Sequence, residues 1–424
     1  MNFDVIVVGG GPSGLMASIA AASHGATTLL IDKGDKLGRK LGISGGGRCN
    51  VTNAKEIDEL IRNIPGNGRF LHSSLANFSN RDIIAFFENL GIKLKEEDRG
   101  RMFPVSDKAK TVVEALVRKA KSSGVIIRIN EPVAGLLIDE QRVQGIRLRS
   151  GERVQGSCVI VATGGKSVPH TGSTGDAYPW AEAAGHTVTE LYPTEVPLLS
   201  REAFIQSKEL QGLSLREVVV TVWNPKGKSV VQHDGDLLFT HFGLSGPTAL
   251  KCSQFVVKIM KQFEVSLVKL TIDLYPGKTV EQLYKESLEL SGREPKKAIK
   301  NILKGMLSER LIPIVLKKSG LNGDTTYDNI PKQPWLEMAA LLKSFPINVS
   351  GTLSIEEAFV TGGGVNLKEI EPKTMHSKRT GGLFFCGEVL DIHGYTGGYN
   401  ITAAFTTGYT AGKSAAEMRH LLND

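Results

Sequence analysis

The chain opens on apolar segments that do not alternate with polar residues. Residues 4–8 form a short apolar run that breaks at Gly9, a helical pattern covers 12–23 and ends at Gly25, and 28–31 form a second run closed by Asp32. Strands without alternation are buried on both faces, as in a parallel sheet covered by helices, so the opening predicts a βαβ unit. Beyond a glycine-rich loop from Gly38 to Asn50, the pattern predicts helices over 57–63, 81–90 and 111–121. Ser79 is placed to cap the second of these, and Gly91 follows its end.

From 125 to 161 the pattern turns to strands, VIIRI, VAGLLI, VQGIRLR and RVQGSCVIV, the last running into Ala162-Thr163-Gly164-Gly165. Segments from 192 to 275 read as β-like and irregular, and those from 279 to 345 as helical and Lys-rich. Strand-then-glycine patterning returns from 347, through TGGGV at 361–365 and GLFFCGEVLDIHGYTGGYN, before a final helix over about 401–418. The expected organisation is an α/β fold with a Rossmann-like domain made from both chain ends. Its first part is 1–191 and its C-terminal part 347–424, with an insert over 192–346 whose β part covers about 192–276 and helical part about 277–346.

Composition narrows the classes. With 424 residues, 41% of them hydrophobic, the chain is long enough for two or three cores. A formal charge of +7 and a pI near 9.0 suit anionic partners, either nucleic acid or a cofactor's pyrophosphate. Aromatic stacking platforms are scarce in the basic helices: between Thr279 and Lys318 only Tyr284 stands among nine Lys or Arg and five acids, so nucleic acid is not the expected partner. Cys49, Cys158, Cys252 and Cys386 form no C-x-x-C, which points away from zinc and towards a reduced, cytoplasmic protein. No apolar run approaches the roughly 20 residues that a spanning helix needs, and no basic leader precedes the first strand. No metal site is expected.

Gly9-x-Gly11-x-x-Gly14 follows a strand and opens a helix, the context in which this pattern marks a dinucleotide site. Gly9 makes the turn, Gly11 admits a pyrophosphate to the backbone, and Gly14 lets helix and strand pack closely. Pro12 and Ser13 start the helix whose N–H groups face the phosphates. Asp32, beside Lys33, ends the second strand, where a carboxylate accepts from ribose hydroxyls. The loop containing Arg39, Lys40, Ser44, Gly45, Gly46, Gly47, Arg48, Cys49 and Asn50 offers backbone N–H groups and cations to the pyrophosphate or the flavin edge. Cys49 reads as a packing residue, with a redox thiol as the alternative. Ala162, Thr163, Gly164 and Gly165 form a second strand-to-glycine transition, and Val133 is a further candidate contact.

Gly398, Tyr399, Asn400 and Ile401 precede or open the last helix, whose positive N-terminus would stabilise charge at the pyrimidine end of an isoalloxazine. Gly387 and Glu388 follow a buried strand, where the carboxylate would meet ribityl hydroxyls. His393 and His241 are the acid–base candidates. Contacts spread this way along one extended dinucleotide predict FAD, with NAD(P)H as a transient electron donor, because no second Gly-x-Gly-x-x-Gly follows a strand.

Six segments in order, GGGPSGLMA, GRKLGISGGGRCNVTN, RMFPVSDKA, IVATGGKSVPHTGSTGDAY, THFGLSGPTAL and GLFFCGEVLDIHGYTGGYNITAAF, make the chain resemble the aminoacetone oxidase family, also called BaiN-type NAD(P)/FAD-dependent oxidoreductases. The resemblance implies a glutathione reductase/fumarate reductase-like FAD-binding domain with an inserted β-barrel-like plus helical domain. It also implies FAD contacts at Gly9, Gly11, Gly14, Asp32, Lys40, Ser44, Gly46, Arg48, Asn50, Thr163, Gly164, Glu388, Tyr399, Asn400 and Ile401. Glu388 stands where related flavoproteins commonly carry Asp. The expected activity is hydride exchange between flavin N5 and a small organic substrate bound between the FAD domain and the insert. The rivals are an amine oxidase using O2, a flavoprotein that binds or modifies RNA, and a redox sensor.

Overall fold

The computed structural model describes residues 2–418, apart from the Tyr327 side chain; Met1 and 419–424, the last six residues assigned to the C-terminal part, lie outside the described residues. The chain divides into two compact units, one made of 1–192 and 355–424 and the other of 193–354.

In the first unit the strand Phe3–Val8 pairs in parallel with Thr28–Ile31 on one side and with Arg153–Val161 on the other. Ile126–Arg128 extends the sheet beyond Thr28–Ile31, and Leu383–Phe385 joins Arg153–Val161 in parallel, in register from Leu383 against Val159. Val5, Ile6, Val7, Leu29, Leu30 and Ile31 are fully buried, as unalternating strands require. An antiparallel meander of Val133–Asp139 and Arg142–Leu148 continues from the first half of Arg153–Val161.

The helix Pro12–Ser23 crosses from the first strand to the second, and the C-terminal helix Tyr399–Met418 packs on it through small residues. A Cβ on Gly408 would lie 2.3 Å from Ser13 O, and one on Gly412 2.1 Å from Ala17 O. Backbone contact this close binds the two chain ends into one layer. Ser79 caps Asn80–Asn89 with a full capping box closed by Asp82, worth about 1 kcal/mol.

In the second unit Phe345–Val349 pairs with Val268–Asp273 at one end of an antiparallel sheet, and its continuation Gly351–Thr352 pairs with Leu198–Leu199 at the other. One run of chain thus joins both edges, giving the barrel-like form. Helices Val280–Gly292, Ile312–Lys318 and Lys332–Lys343 follow, the first opened by a Thr279–Gln282 capping box.

Three expectations need correction. The stretch 247–263, read as part of a β-like region, is the helix Pro247–Phe263, with Pro247 in its first turn and Ala249, Cys252, Val256 and Ile259 on its buried face. Its apolar spacing of three and four is helical, and the β-branched pair at Val256 and Val257 does not outweigh it. The strand near 347 belongs to the insert's sheet, so the return to the first unit falls after Ser354 rather than at 346. The last helix begins at Tyr399, two residues earlier than 401.

Candidate cofactor and catalytic site

The three N-terminal glycines have three different surroundings. Gly9 has φ +107, and a Cβ there would lie 2.5 Å from Ala162 O; on Gly14 it would lie 1.8 Å from Gly9 O, while on Gly11 it would meet nothing within 4 Å. Gly9 and Gly14 are closed by the protein's own backbone, whereas Gly11 faces open space at the helix N-terminus with Pro12 behind it. Asp32 Oδ2 accepts from Gly10 N at 2.6 Å and Oδ1 from Gly34 N at 2.7 Å, which holds the carboxylate beside the glycine turn. Val133 lies close by in sequence to Glu131, whose N–H donates to Asp32 O.

The segment after Gly38 is more regular than a loop. Arg39–Ile43 is a short helix, and Ser44–Gly47 continues as a tight turn with Gly45, Gly46 and Gly47 at φ +57, +69 and +86. Three successive left-handed residues favour glycine and leave the backbone at Gly46 and Gly47 open to within 4 Å. Ser44 Oγ turns back to donate to Leu41 O.

The four cations singled out by sequence are each matched by a carboxylate. Lys33 pairs with Asp176, Arg39 with Asp35, Lys40 with Glu388, and Arg48 with Glu97 and Asp107 while its guanidinium lies over the Phe103 ring. Arg48 and Arg39 therefore add less net charge to the loop than their side chains imply. Cys49 is fully buried, and burial pushes its thiol up to about 12, so it packs rather than reacts.

Lys40 Nζ also donates to Ser167 Oγ at 2.7 Å. Glu388 accepts in addition from Thr361 N at 2.8 Å and from Ser167 Oγ at 3.0 Å. Burial alone would raise this carboxyl; the Lys40 charge and hydrogen bond, with the Thr361 and Ser167 donors, outweigh it and hold Glu388 below the ordinary glutamate value. Its place is set by the buried strand Leu383–Phe385 and by Gly387, where a Cβ would lie 2.4 Å from Ser13 Oγ. Gly165 is closed by Thr361 and Glu388, and Gly164 by Ser173.

Gly398 closes on the other chain end, since a Cβ there would meet Thr52 O at 2.6 Å and Asn50 Oδ1 at 2.9 Å. Tyr399 is buried, Ile401 half-buried, and the Asn400 amide bridges Gly394, accepting from its N at 2.7 Å and donating to its O at 2.8 Å. Asn50 Oδ1, Thr163 Oγ1 and Tyr178 Oη are buried without a hydrogen-bond partner among the described residues. Orphaned polar atoms cost stability unless another group meets them. Together with the open Gly11, Gly46 and Gly47 backbones, they fit an FAD.

His393 is 1% exposed and its Nε2 lies 2.9 Å from Tyr192 Oη, with the two rings edge to face. Burial, aided by the Asp391 charge, pushes the Tyr192 phenol up, so it holds its proton through the neutral range. His241 lies in the other unit, exposed on the turn between Ser229–Phe239 and Gly243–Ser245, its ring against Phe242. Tyr192, Ser167, Thr361 and Tyr178 were not found from sequence. Ser167 sits within a quoted segment, but Tyr192 carries no local signature. Among the described residues no group of three metal-ligating side chains occurs, and no helix is long and apolar enough to cross a membrane.

Residues 3–414 match the family described as HI0933-like protein Rossmann domain. The chain is 32% identical over 415 residues to a ribosomal RNA dihydrouridine synthase of Haemophilus influenzae, covering 97% of this chain and 98% of that protein. It is 30% identical to a 3-dehydro-bile acid delta(4,6)-reductase of Clostridium scindens, with 97% and 98% covered. Among solved structures, a 3-ketosteroid delta1-dehydrogenase from Sterolibacterium denitrificans superimposes with a TM-score of 0.53 at 14% identity, covering 98% of this chain and all of the other. The fold is the Rossmann-like FAD-binding fold.

Proposed function

Because the chain belongs to the HI0933-like Rossmann domain family, we propose that this FAD-dependent oxidoreductase saturates a carbon–carbon double bond conjugated to a carbonyl, its substrate being the C5=C6 bond of uridine in RNA. The single observation that carries the chemistry is the Tyr192–His393 hydrogen bond, a protonated phenol backed by a buried imidazole in the FAD-binding unit. Saturation of such a bond needs a hydride at the β-carbon and a proton at the α-carbon. A bound flavin supplies the hydride chemistry at N5, recharged by NAD(P)H.

Tyr192, half-buried, gives its proton to the α-carbon and regains one from water once the product has left, while the hydrogen bond from His393 steadies the transient phenolate and fixes the phenol's direction. Asn400 holds Gly394 and so the loop that carries His393. The names of the two relatives share one reaction, addition of hydrogen to a ring double bond, on different substrates. Charge favours the RNA member of that pair: the insert, 193–354, holds 21 Lys or Arg against 16 Asp or Glu and so carries +5 of the chain's +7. The scarcity of aromatics in its helices, which in the sequence argued against nucleic acid, argues only against base stacking there and leaves phosphate contact to its cations. Aminoacetone or another amine would require the reverse electron flow, with no proton donor needed.

The test is anaerobic reduction of the purified FAD protein with NADPH or NADH, followed by addition of a uridine-containing ribosomal RNA transcript. The expected result is flavin reoxidation with formation of dihydrouridine, read by nucleoside mass spectrometry. Reoxidation by a cyclic enone or by O2 alone, with no dihydrouridine in any RNA, overturns the substrate.

A further inference from the structure

Lys33, Arg39, Lys40 and Arg48 each face a carboxylate, which sets them apart from a second group of cations. Among the described residues Arg62, Arg69 and Lys368 form no ion pair, and they line one open cleft of about 550 Å3 in the FAD-binding unit. Arg62 and Arg69 come from the segment around Pro65, and Lys368 from a turn some 300 residues later. Ile64, Pro65 and the half-buried Phe70 give the cleft an apolar wall. Three cations lining one groove repel one another, and that cost is offset when an anion binds there.

The cleft is attached to the proton-donating pair. Gly66 N donates to His393 O at 2.9 Å, and Asn67 Nδ2 donates to Asp391 O at 2.8 Å. The two strands approach so closely that a Cβ on Gly66 would lie 2.2 Å from the His393 ring. The wall carrying Arg62 and Arg69 is therefore hydrogen-bonded to the loop that carries His393.

We propose that this cleft binds the phosphodiester backbone of the RNA beside the reacting uridine, with Arg62, Arg69 and Lys368 on phosphates and Phe70 against a neighbouring base. This rests on the RNA reading above. Arginine forks and a lysine point charge match phosphate oxygens, and one aromatic face accepts any base. A site open at the surface and built from two distant segments suits a continuing strand better than an enclosed mononucleotide.

The test measures affinity for a uridine-containing single-stranded RNA across a salt series, for the FAD-loaded wild type and for R62Q/R69Q/K368Q and R62E/R69E/K368E. Loss of three phosphate contacts should make the log–log salt slope shallower by about 2. Affinity at moderate salt should fall roughly tenfold or more, while FAD content and the flavin spectrum stay as in the wild type. The glutamine variant gives the answer if the glutamate variant does not fold. Wild type that forms dihydrouridine, with variants that keep its slope and affinity, overturns the cleft and leaves the reductase standing. Variants that raise the KM for NADPH and leave RNA affinity unchanged also overturn it, assigning the cations to the dinucleotide. A wild type that makes no dihydrouridine overturns the substrate reading itself.

Discussion

Lys40 Nζ lies 2.8 Å from Glu388 Oε2, an ion pair between residues 348 positions apart that ties the glycine-rich segment to the C-terminal return. Both side chains are mostly removed from water, at 26% and 20% exposure, so the pair is screened less than a surface bridge.

The pair sets a pH dependence. Glu388 is held below the ordinary glutamate value, so its contribution to stability is complete above about pH 4.3 and is lost as pH falls through the lower folded-state value. Lys40→Met removes the main compensation for burial, so the acid limb of a Tm-against-pH curve should move to higher pH. An unchanged acid limb would show that Lys40 does not hold this carboxyl ionised.

Gly11→Ala and Gly14→Ala should separate binding from folding. Gly11 has φ −75 and open space, so alanine fits the protein and obstructs only the ligand: the apo Tm should hold while FAD affinity drops by at least roughly tenfold. Gly14→Ala drives a methyl into Gly9 O and should cost about 3 kcal/mol, lowering Tm by roughly 6 °C. Calorimetry on apo protein and FAD titration read the two effects.

Tyr192→Phe keeps the ring against His393 and removes only the proton. Turnover should fall about 100-fold, with FAD content and the rate of flavin reduction by NAD(P)H unchanged. His241→Ala, exposed in the other unit, should leave turnover within about twofold. Stopped-flow of the two half-reactions decides both; a slow reductive half-reaction in Tyr192→Phe would remove the tyrosine from proton delivery.

The cysteines should be silent in the native protein. All four are buried, with Cys49, Cys158 and Cys386 pushed up to about 12 by burial, so Ellman's reagent at pH 8 should react only after denaturation. A rapidly reacting native thiol would contradict this packing.

Much of the first unit was legible in the chain. The apolar runs at 4–8 and 28–31, the helix opened by Pro12 and the Ser79 cap all depend on residues within a turn or two of one another, and each appears where the pattern puts it. The helix Pro247–Phe263 was missed because its surroundings alternate between strands and turns, and its heptad-like spacing was averaged into them. The return point at 354 was missed for a related reason: Phe345–Val349 is a short strand pattern, apolar at Phe345, Ile347 and Val349, that could pair in either sheet, and its antiparallel register with Val268–Asp273 assigns it.

The glycine spacing, with its turn, open and packed positions, could be assigned from residues alone, because a missing Cβ has a consequence for whichever backbone lies next to it, and Gly9, Gly11 and Gly14 are close neighbours in one βα turn. The charges could not. Arg39 and Arg48 read as bare cations in the sequence, but Asp35, Glu97 and Asp107 lie against them, whereas Arg62, Arg69 and Lys368, unremarkable in sequence, line a cleft and have no ion-pair partner among the described residues. A side chain's charge is local, but the field it leaves depends on partners that only folding brings within a few ångströms. The same holds for Tyr192 and His393, which meet across 201 residues of chain.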